Sequence, residues 1–228
     1  MTGSVRVPPT MVGAMMATTA GATAATTAAT TAAAMAVAMA VGLPERSTRL
    51  DGPRISVREL RADDATACVD AALASRRLHG RWVRPPLTID DFIARMQKRR
   101  LFTNSVSLVA RRHDNHAVVG QFNLSEIIRG PLQQAFLGYY GFVPHTGAGY
   151  MREGMALVLS HAFVTLRLHR IEANVQPGNV RSVALVEASG FAREGYSERY
   201  LKIAGRWRDH ERWAINTETW RAHRRASR

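Results

Sequence analysis

The sequence predicts one α/β (α+β) domain of about six or seven strands flanked by helices, preceded by a low-complexity segment. Three observations point there. Short stretches between turn residues alternate apolar and polar side chains, as half-buried strands do. One long stretch, Met151, Met155, Val158, Leu159, Ala162, Phe163 and Leu166, instead repeats its apolar residues at helical spacing. The two kinds of stretch interleave along the chain, the pattern of a sheet covered by helices.

The elements follow in order. Arg54 to Leu60 reads as a strand with Ile55 and Val57 inward. Asp63 and Asp64 favour a helix start, Ala65 to Leu78 supply helix formers, and Gly80 stops them. Pro85-Pro86 breaks the chain before a second helix, which opens at Thr88 and ends in Lys98-Arg99-Arg100. Ser105 to Arg111, Ala117 to Ile128 and Gln134 to Val143 are strands divided by Asp114-Asn115 and Gly130-Pro131, with the look of an antiparallel meander. The long helical stripe comes next, then a short strand from Arg170 to Gln176. Asn179 to Ser189 is a helix closed by Gly190 and Phe191 in the manner of a Schellman cap. Arg193 to Ile203 and Arg206 to Ile215 form a hairpin turning at Ala204-Gly205. The order is β-α-α-β-β-β-α-β-α-β-β.

The 228 residues are enough for one domain and an additional segment. The net charge of +13 falls almost wholly after Glu45, because Arg6 is the only charge before it. Such an excess suits polyanions: a nucleic acid, a ribosome surface, an anionic membrane or a phosphorylated cofactor. Scattered arginines of an arginine-rich genome explain it equally well. Cys68, the one cysteine, stands between Ala67 and Val69 and is read as a buried structural thiol. No Cys/His spacing suggests a zinc site, and no metal is expected.

Residues 1–46 are read as a disordered tail and 47–228 as the domain, ending in a short, solvated basic tail from Arg221 to Arg228. Val7 to Pro44 carries no charge and is mostly Ala, Thr, Met, Val and Gly. A membrane helix needs ~20 predominantly apolar residues, and threonine dilutes the segment below that. Ala36-Val37-Ala38 resembles a signal cleavage site, but the positive charge before it is only Arg6 and the terminus. Ala and Thr bury too little area to offset chain entropy, so a tail is favoured over export. A misassigned start would leave a similar segment. The expected location is cytoplasmic, with no membrane partner.

Tyr139 to Met151 carries a strand into the long helix through Gly147 and Gly149. Glycines let a backbone approach a ligand, and first-turn N–H groups without intrahelical partners hold phosphates. Alone, this Gly-x-Gly reads equally as a tight turn. Further on stand His169-Arg170-Ile171-Glu172, then Pro177-Gly178-Asn179-Val180-Arg181-Ser182, Gly190-Phe191 and Trp207-Arg208-Asp209-His210. Together, in this order, the five motifs resemble the GNAT superfamily of N-acetyltransferases and, within it, the RimJ/RimL-type enzymes that acetylate protein N-termini. The resemblance covers roughly Arg54 to Trp220.

It implies a mixed, centrally splayed sheet with acetyl-CoA as co-substrate. Backbone N–H groups of Thr146, Gly147, Ala148, Gly149, Tyr150 and Met151 would hold the pyrophosphate. Gly141, Phe142 and Val143 would pair with the pantetheine arm, one amide stabilising the oxyanion. Asn179 would contact the pantetheine end, and Ser182 would protonate the departing thiolate. Two departures stand out: Thr146 where relatives often have Gln or Arg, with Met151 in place of a small residue; and Val186 where many have an acidic tyrosine.

Glu172, Glu198, Asp209 and His210 are candidate bases, with water as the alternative. For Glu172 a salt bridge, and for Asp209-His210 a hairpin brace, are the competing readings. A free α-amine, with a pKa of ~8, needs less help than lysine at ~10.4. Trp207, Trp213 and Trp220 are read as packing residues rather than a stacking platform. The RimJ/RimL resemblance implies a protein N-terminal α-amine as the favoured acceptor, which the weak base candidates permit, with a ribosomal protein in view and no direct nucleic-acid binding required. A small-molecule amine is the near rival, and a non-catalytic basic module for ribosome or RNA the rival of another class. Gly149→Glu is expected to keep the fold while losing acetyl-CoA affinity, since Glu suits a helix N-terminus. Removal of the chain up to Pro44 should leave acetyl-CoA affinity and melting temperature almost unchanged; a large fall in melting temperature of the truncated protein would make that segment structural.

Overall fold

The computed structural model describes residues 49–226 apart from 102 and 103. They lie in one compact unit, Ser47–Arg228. The expected tail over 1–46 lies outside the described residues. Eight strands among them form one sheet in the order β1-β2-β3-β4-β5-β6-β8-β7. They are β1 (Arg49–Asp51), β2 (Ile55–Glu59), β3 (Val106–Arg112), β4 (Val118–Ile128), β5 (Gln134–Gly141), β6 (Arg170–Val175), β7 (Ala192–Ile203) and β8 (Arg206–Asn216). The helices are α1 (Ala65–Ala74), α2 (Arg76–His79), α3 (Ile89–Arg100), α4 (Tyr150–Ser160), α5 (Val180–Ala188) and α6 (Thr217–Ala226).

The meander holds: β2 to β5 pair antiparallel in sequence order. Side chains of these strands alternate between two cores. Ile55, Val57, Leu108, Ala110, Phe122 and Leu124 face α4, where Met155, Val158 and Leu159 meet them. Val109, Val118 and Phe142 face α1 and α3, against Cys68, Val69, Phe92 and Met96. Thr88 caps α3 by accepting a hydrogen bond from the Asp91 N–H at 3.2 Å. The helix α5 ends as expected: Phe191 N–H donates to the Val186 carbonyl and Gly190 N–H to that of Glu187, the two bonds of a Schellman motif.

Three expectations need correction. The sheet has an eighth strand, β1, whose three residues are too few to show alternation and which forms only by pairing with β2. The helix expected over Ala65 to Leu78 is broken at Ser75, which is buried and turns its hydroxyl to the Val143 N–H at 3.0 Å. The basic end begins as a helix, α6, because Trp220 buries itself against Phe163 with ring centroids 5.1 Å apart.

Asp64 ties the first half together. Its side chain, 1% exposed, accepts bonds from Arg58 at 2.7 and 2.8 Å, Arg111 at 2.7 Å and the Arg61 N–H at 2.8 Å. Burial alone would raise its pKa; the donated bonds from Arg58, Arg61 and Arg111 outweigh burial and hold the carboxyl below its usual range. A carboxyl depressed on folding adds stability above its unfolded pKa of ~3.9 and loses it as pH falls through the folded value. Asp64→Ala should therefore destabilise the domain by about 3 kcal/mol near neutral pH, because two partly buried arginines lose their shared carboxylate. The deficit should shrink in acid; denaturant unfolding that shows the same loss at pH 7 and at pH 3 would refute this account.

Candidate active site

The sheet is split at its middle. β5 and β6 run parallel yet pair only over Gln134↔Arg170, Ala135↔Ile171 and Phe136↔Glu172, then diverge. Beyond Phe136, β5 keeps its partner on one side alone, with the register Leu124↔Leu137 to Gly120↔Gly141 on β4. Phe142 N–H donates to the Val119 carbonyl at 3.0 Å. Antiparallel bonding alternates, so Leu137, Tyr139 and Gly141 turn their N–H and C=O groups away from β4 and into the gap. His79 takes one of these, donating from Nε2 to the Gly141 carbonyl at 2.9 Å. The amides of Phe142 and Val143, expected to face a ligand, are instead spent on Val119 and on the Ser75 hydroxyl, and the Phe142 side chain is fully buried. The open backbone edge sits further upstream, at Leu137, Tyr139 and Gly141.

A cleft of about 1020 Å³ follows the gap. At one end stands the turn into α4, where Thr146, Gly147, Gly149 and Met151 line it together with Asn179. Gly147 (φ +83°) and Gly149 (φ +81°) are left-handed, and Gly149 caps α4. Ala148 and Tyr150 are turned to a brace that sequence alone did not suggest. Arg54 donates to the Ala148 carbonyl at 2.9 Å, pairs with Glu153 at 2.9 Å and lies 4.6 Å over the Tyr150 ring. No local signal marks Arg54, because its partners lie more than ninety residues away. The bulky Met151 is accommodated by glycines: a Cβ on Gly120 would fall 2.3 Å from its sulfur and one on Gly141 3.1 Å from its Cγ.

The two sides of the gap differ chemically. Toward α4 and α5, the Ser182 Oγ lies 2.6 Å from the Tyr139 hydroxyl. Burial pushes the Tyr139 phenol up to about 12, so it stays protonated at neutral pH. Tyr139 thus brings a hydroxyl that Val186, wholly buried, does not supply. Asn179 caps α5, its Oδ1 accepting from the Ser182 N–H at 3.3 Å.

Toward α3, alternation along β6 and β8 turns Asn174 and His210 away from the core residues Val175 and Trp213. Both line the cleft. Asn174 Oδ1 is buried with no hydrogen-bond partner among the described residues. His210 Nδ1 donates to the Arg208 carbonyl at 2.9 Å, which leaves Nε2 as the acceptor nitrogen. Burial lowers the His210 pKa, keeping the ring neutral.

Other candidates are elsewhere. Glu172 is absorbed in an ion pair with Arg170 at 2.8 Å and does not reach the cleft. Asp209 braces the hairpin through Tyr196 and the Arg199 N–H. Glu198 is exposed. Trp213 and Trp220 are core residues, while Trp207 stands 59% exposed on the hairpin. Cys68 is buried and its thiol is pushed up to about 11 by burial, as a structural cysteine should be.

A family model for the acetyltransferase (GNAT) domain matches residues 54–192. The chain belongs to the GNAT acetyltransferase family. It is 34% identical over 175 residues to a probable N-acetyltransferase of Bacillus subtilis, YjcK, covering 73% of this chain and 96% of that protein. With the [ribosomal protein uS5]-alanine N-acetyltransferase of Escherichia coli it shares 37% over 107 residues, 47% of this chain and 55% of the relative. Among solved structures, RimJ of Mycobacterium smegmatis in complex with CoA-disulfide superimposes with a TM-score of 0.70 at 27% identity, over 80% of this chain and 96% of that one. A spermidine N-acetyltransferase of Vibrio cholerae shares the fold at a TM-score of 0.62 and 21% identity, over 78% of this chain and all of that one. The chain is thus an N-acetyltransferase of GNAT type, and GNAT enzymes use acetyl-CoA.

The expectation that Gly149→Glu would leave the fold intact is overturned by the backbone. At φ +81° any L side chain is strained, whatever its helix propensity. A Cβ there would also lie 3.2 Å from Arg54 Nη2. Gly149→Ala should cost about 1–2 kcal/mol and lower the melting temperature by a few degrees. An unchanged melting temperature in calorimetry would show that the turn accommodates a side chain after all.

Proposed function

We propose that this acetyltransferase moves the acetyl group of acetyl-CoA onto a protein N-terminal α-amine, with a ribosomal protein as the favoured acceptor. The observation that carries the reading is the two-sided gap, with a hydroxyl pair on one side and a neutral imidazole beside a free amide oxygen on the other. The likeness to a ribosomal-protein alanine N-acetyltransferase supports the acceptor class. The small-amine reading rests on the spermidine enzyme, a likeness of fold alone.

The residues present fit the co-substrate. The left-handed glycines open the start of α4, where N–H groups of the Thr146 to Met151 turn and the helix dipole suit a pyrophosphate. The open edge of β5 at Leu137, Tyr139 and Gly141 suits an amide-bearing arm, as an added strand would pair. Acetyl-CoA supplies the thioester carbonyl and the thiolate leaving group. An N–H of Tyr139 or Gly141 donates to the oxygen that gains charge. Asn174 Oδ1 accepts a hydrogen bond from the incoming amine and orients it. His210 Nε2 removes the proton the amine sheds on attack. Ser182 Oγ–H gives its proton to the thiolate while Tyr139 donates to Ser182, so the hydroxyl pair acts as a short relay. With Tyr139 in this place, the valine at 186 no longer motivates a non-catalytic reading.

Labelled acetyl-CoA and a peptide library of varied N-terminal residues test the acceptor. Ser182→Ala and Tyr139→Phe should lower kcat while leaving acetyl-CoA affinity nearly unchanged, because both act only as charge develops on sulfur. His210→Gln should lower kcat by roughly 10²–10⁴, the usual weight of a general base. Thr146→Glu, which sets a like charge against the phosphates, should weaken acetyl-CoA binding at least about tenfold. Parent-like kcat in both His210→Gln and Ser182→Ala would remove these groups from the mechanism, and acetylation of spermidine but of no peptide would replace the acceptor.

A further inference from the structure

The charge of the cleft is one-sided. Six arginines line it, Arg77, Arg84, Arg95, Arg99, Arg152 and Arg181, and no aspartate or glutamate does among the described residues. Arg152 and Arg181 sit by the turn into α4 and at the start of α5, where phosphates account for them. Arg95 is neutralised by Asp91 at 2.9 Å on the same helix. Of Arg77, Arg84 and Arg99, which have no carboxylate partner among the described residues, Arg99 is the one fixed to the sheet. It stands at the end of α3, on the acceptor side of the gap, and is held by two neutral groups: Ser107 Oγ at 2.8 Å and Asn123 Oδ1. No carboxylate pairs with it among the described residues.

Its position follows from the register. Asn123 on β4 stands opposite Gly138 on β5, the second residue beyond the point where β5 and β6 part. A Cβ built on Gly138 would meet nothing within 4 Å, so the floor of the cleft is open there. Adjacent strands are about 4.8 Å apart, which sets the Arg99 anchor one strand from the reacting gap. Both hydrogen bonds come from Nη1, and a guanidinium carries five N–H donors. The rest are left to form the paired bonds that arginine makes to carboxylates.

We infer that Arg99 selects acceptors bearing a carboxylate near the reacting amine, an N-terminal peptide with Asp or Glu at its second or third position. This rests on the proposed transfer to an α-amine for the peptide, but on the cleft alone for the charge. An extended peptide advances about 3.3–3.6 Å per residue, so an acidic second or third side chain spans the distance from gap to guanidinium. A polycationic amine meets only like charge in this cleft.

The test uses the full chain and peptides identical except for Glu, Gln or Lys at the second and third positions, assayed at low ionic strength where surface charge is least screened. The Glu peptide should exceed the Lys peptide at least tenfold in kcat/KM. Arg99→Gln should abolish that preference, Arg99→Lys should retain part of it, and Arg99→Glu should invert it, with acetyl-CoA affinity as in the parent. Arg99 is exposed, and circular dichroism checks that each variant is folded. Equal kcat/KM for Glu and Lys peptides, or a preference that survives Arg99→Gln, overturns the inference. Titration of the same peptides into the coenzyme A complex reads the preference without turnover. A parallel arm compares spermidine with an amino acid: acetylation of the amino acid alone, lost in Arg99→Gln, would keep the carboxylate rule and refute the peptide acceptor.

Discussion

Two parallel strands that pair for three residues and then part are the constraint on which the remainder of the molecule turns. A backbone edge in the middle of a sheet leaves strong donors and acceptors without partners, which protein interiors rarely tolerate. Here the edge faces a cleft rather than a packed interior, so water or an extended ligand arm can satisfy it. The surrounding residues keep it open. His79 binds the Gly141 carbonyl, and Ser75 takes the Val143 amide where β5 leaves the sheet. Tyr139 and Ser182 link β5 to α5 on the other side. The parting of the strands also explains why the chemical groups are divided. Alternation along β5, β6 and β8 sends hydroxyls to one face and the imidazole and amide to the other, with the gap between them.

Two groups of arginines stand apart by their partners. One is structural: Arg58 and Arg111 close around Asp64, Arg54 around Glu153, and Arg170 around Glu172 and Glu194. Three of these contacts cross long sequence separations: Arg111 joins β3 to Asp64, Arg54 joins the approach to β2 to α4, and Arg170 joins β6 to β7. The other lines the cleft, whose walls carry no aspartate or glutamate among the described residues. Part of the basic excess is thereby gathered on one concave surface, where six arginines line the cleft.

The bulk of one side chain is absorbed by two glycines on neighbouring strands. Met151 reaches over the sheet, and Gly120 and Gly141 make room for it. Neither glycine would be chosen for a strand on propensity, and both are explained by the methionine above them.

Most elements were legible in the sequence, because their signals are local. The alternation of β2 to β5, the stripe of α4, the threonine cap of α3 and the Gly190-Phe191 stop of α5 each depend on a few neighbouring residues. The five ordered motifs carried the family and the co-substrate with them. What the sequence could not show was pairing across distance. β1 exists only because β2 is beside it, α6 because Trp220 meets Phe163, and the Arg54 brace because the turn into α4 folds over the start of β2. The same reason moved the open amides from Phe142 and Val143 to Leu137, Tyr139 and Gly141, took Glu172 into an ion pair and brought Tyr139 to Ser182. Which face a hydrogen-bonding group turns to, and what already occupies it, is decided by register and by partners remote in the chain, and only the tertiary structure contains those.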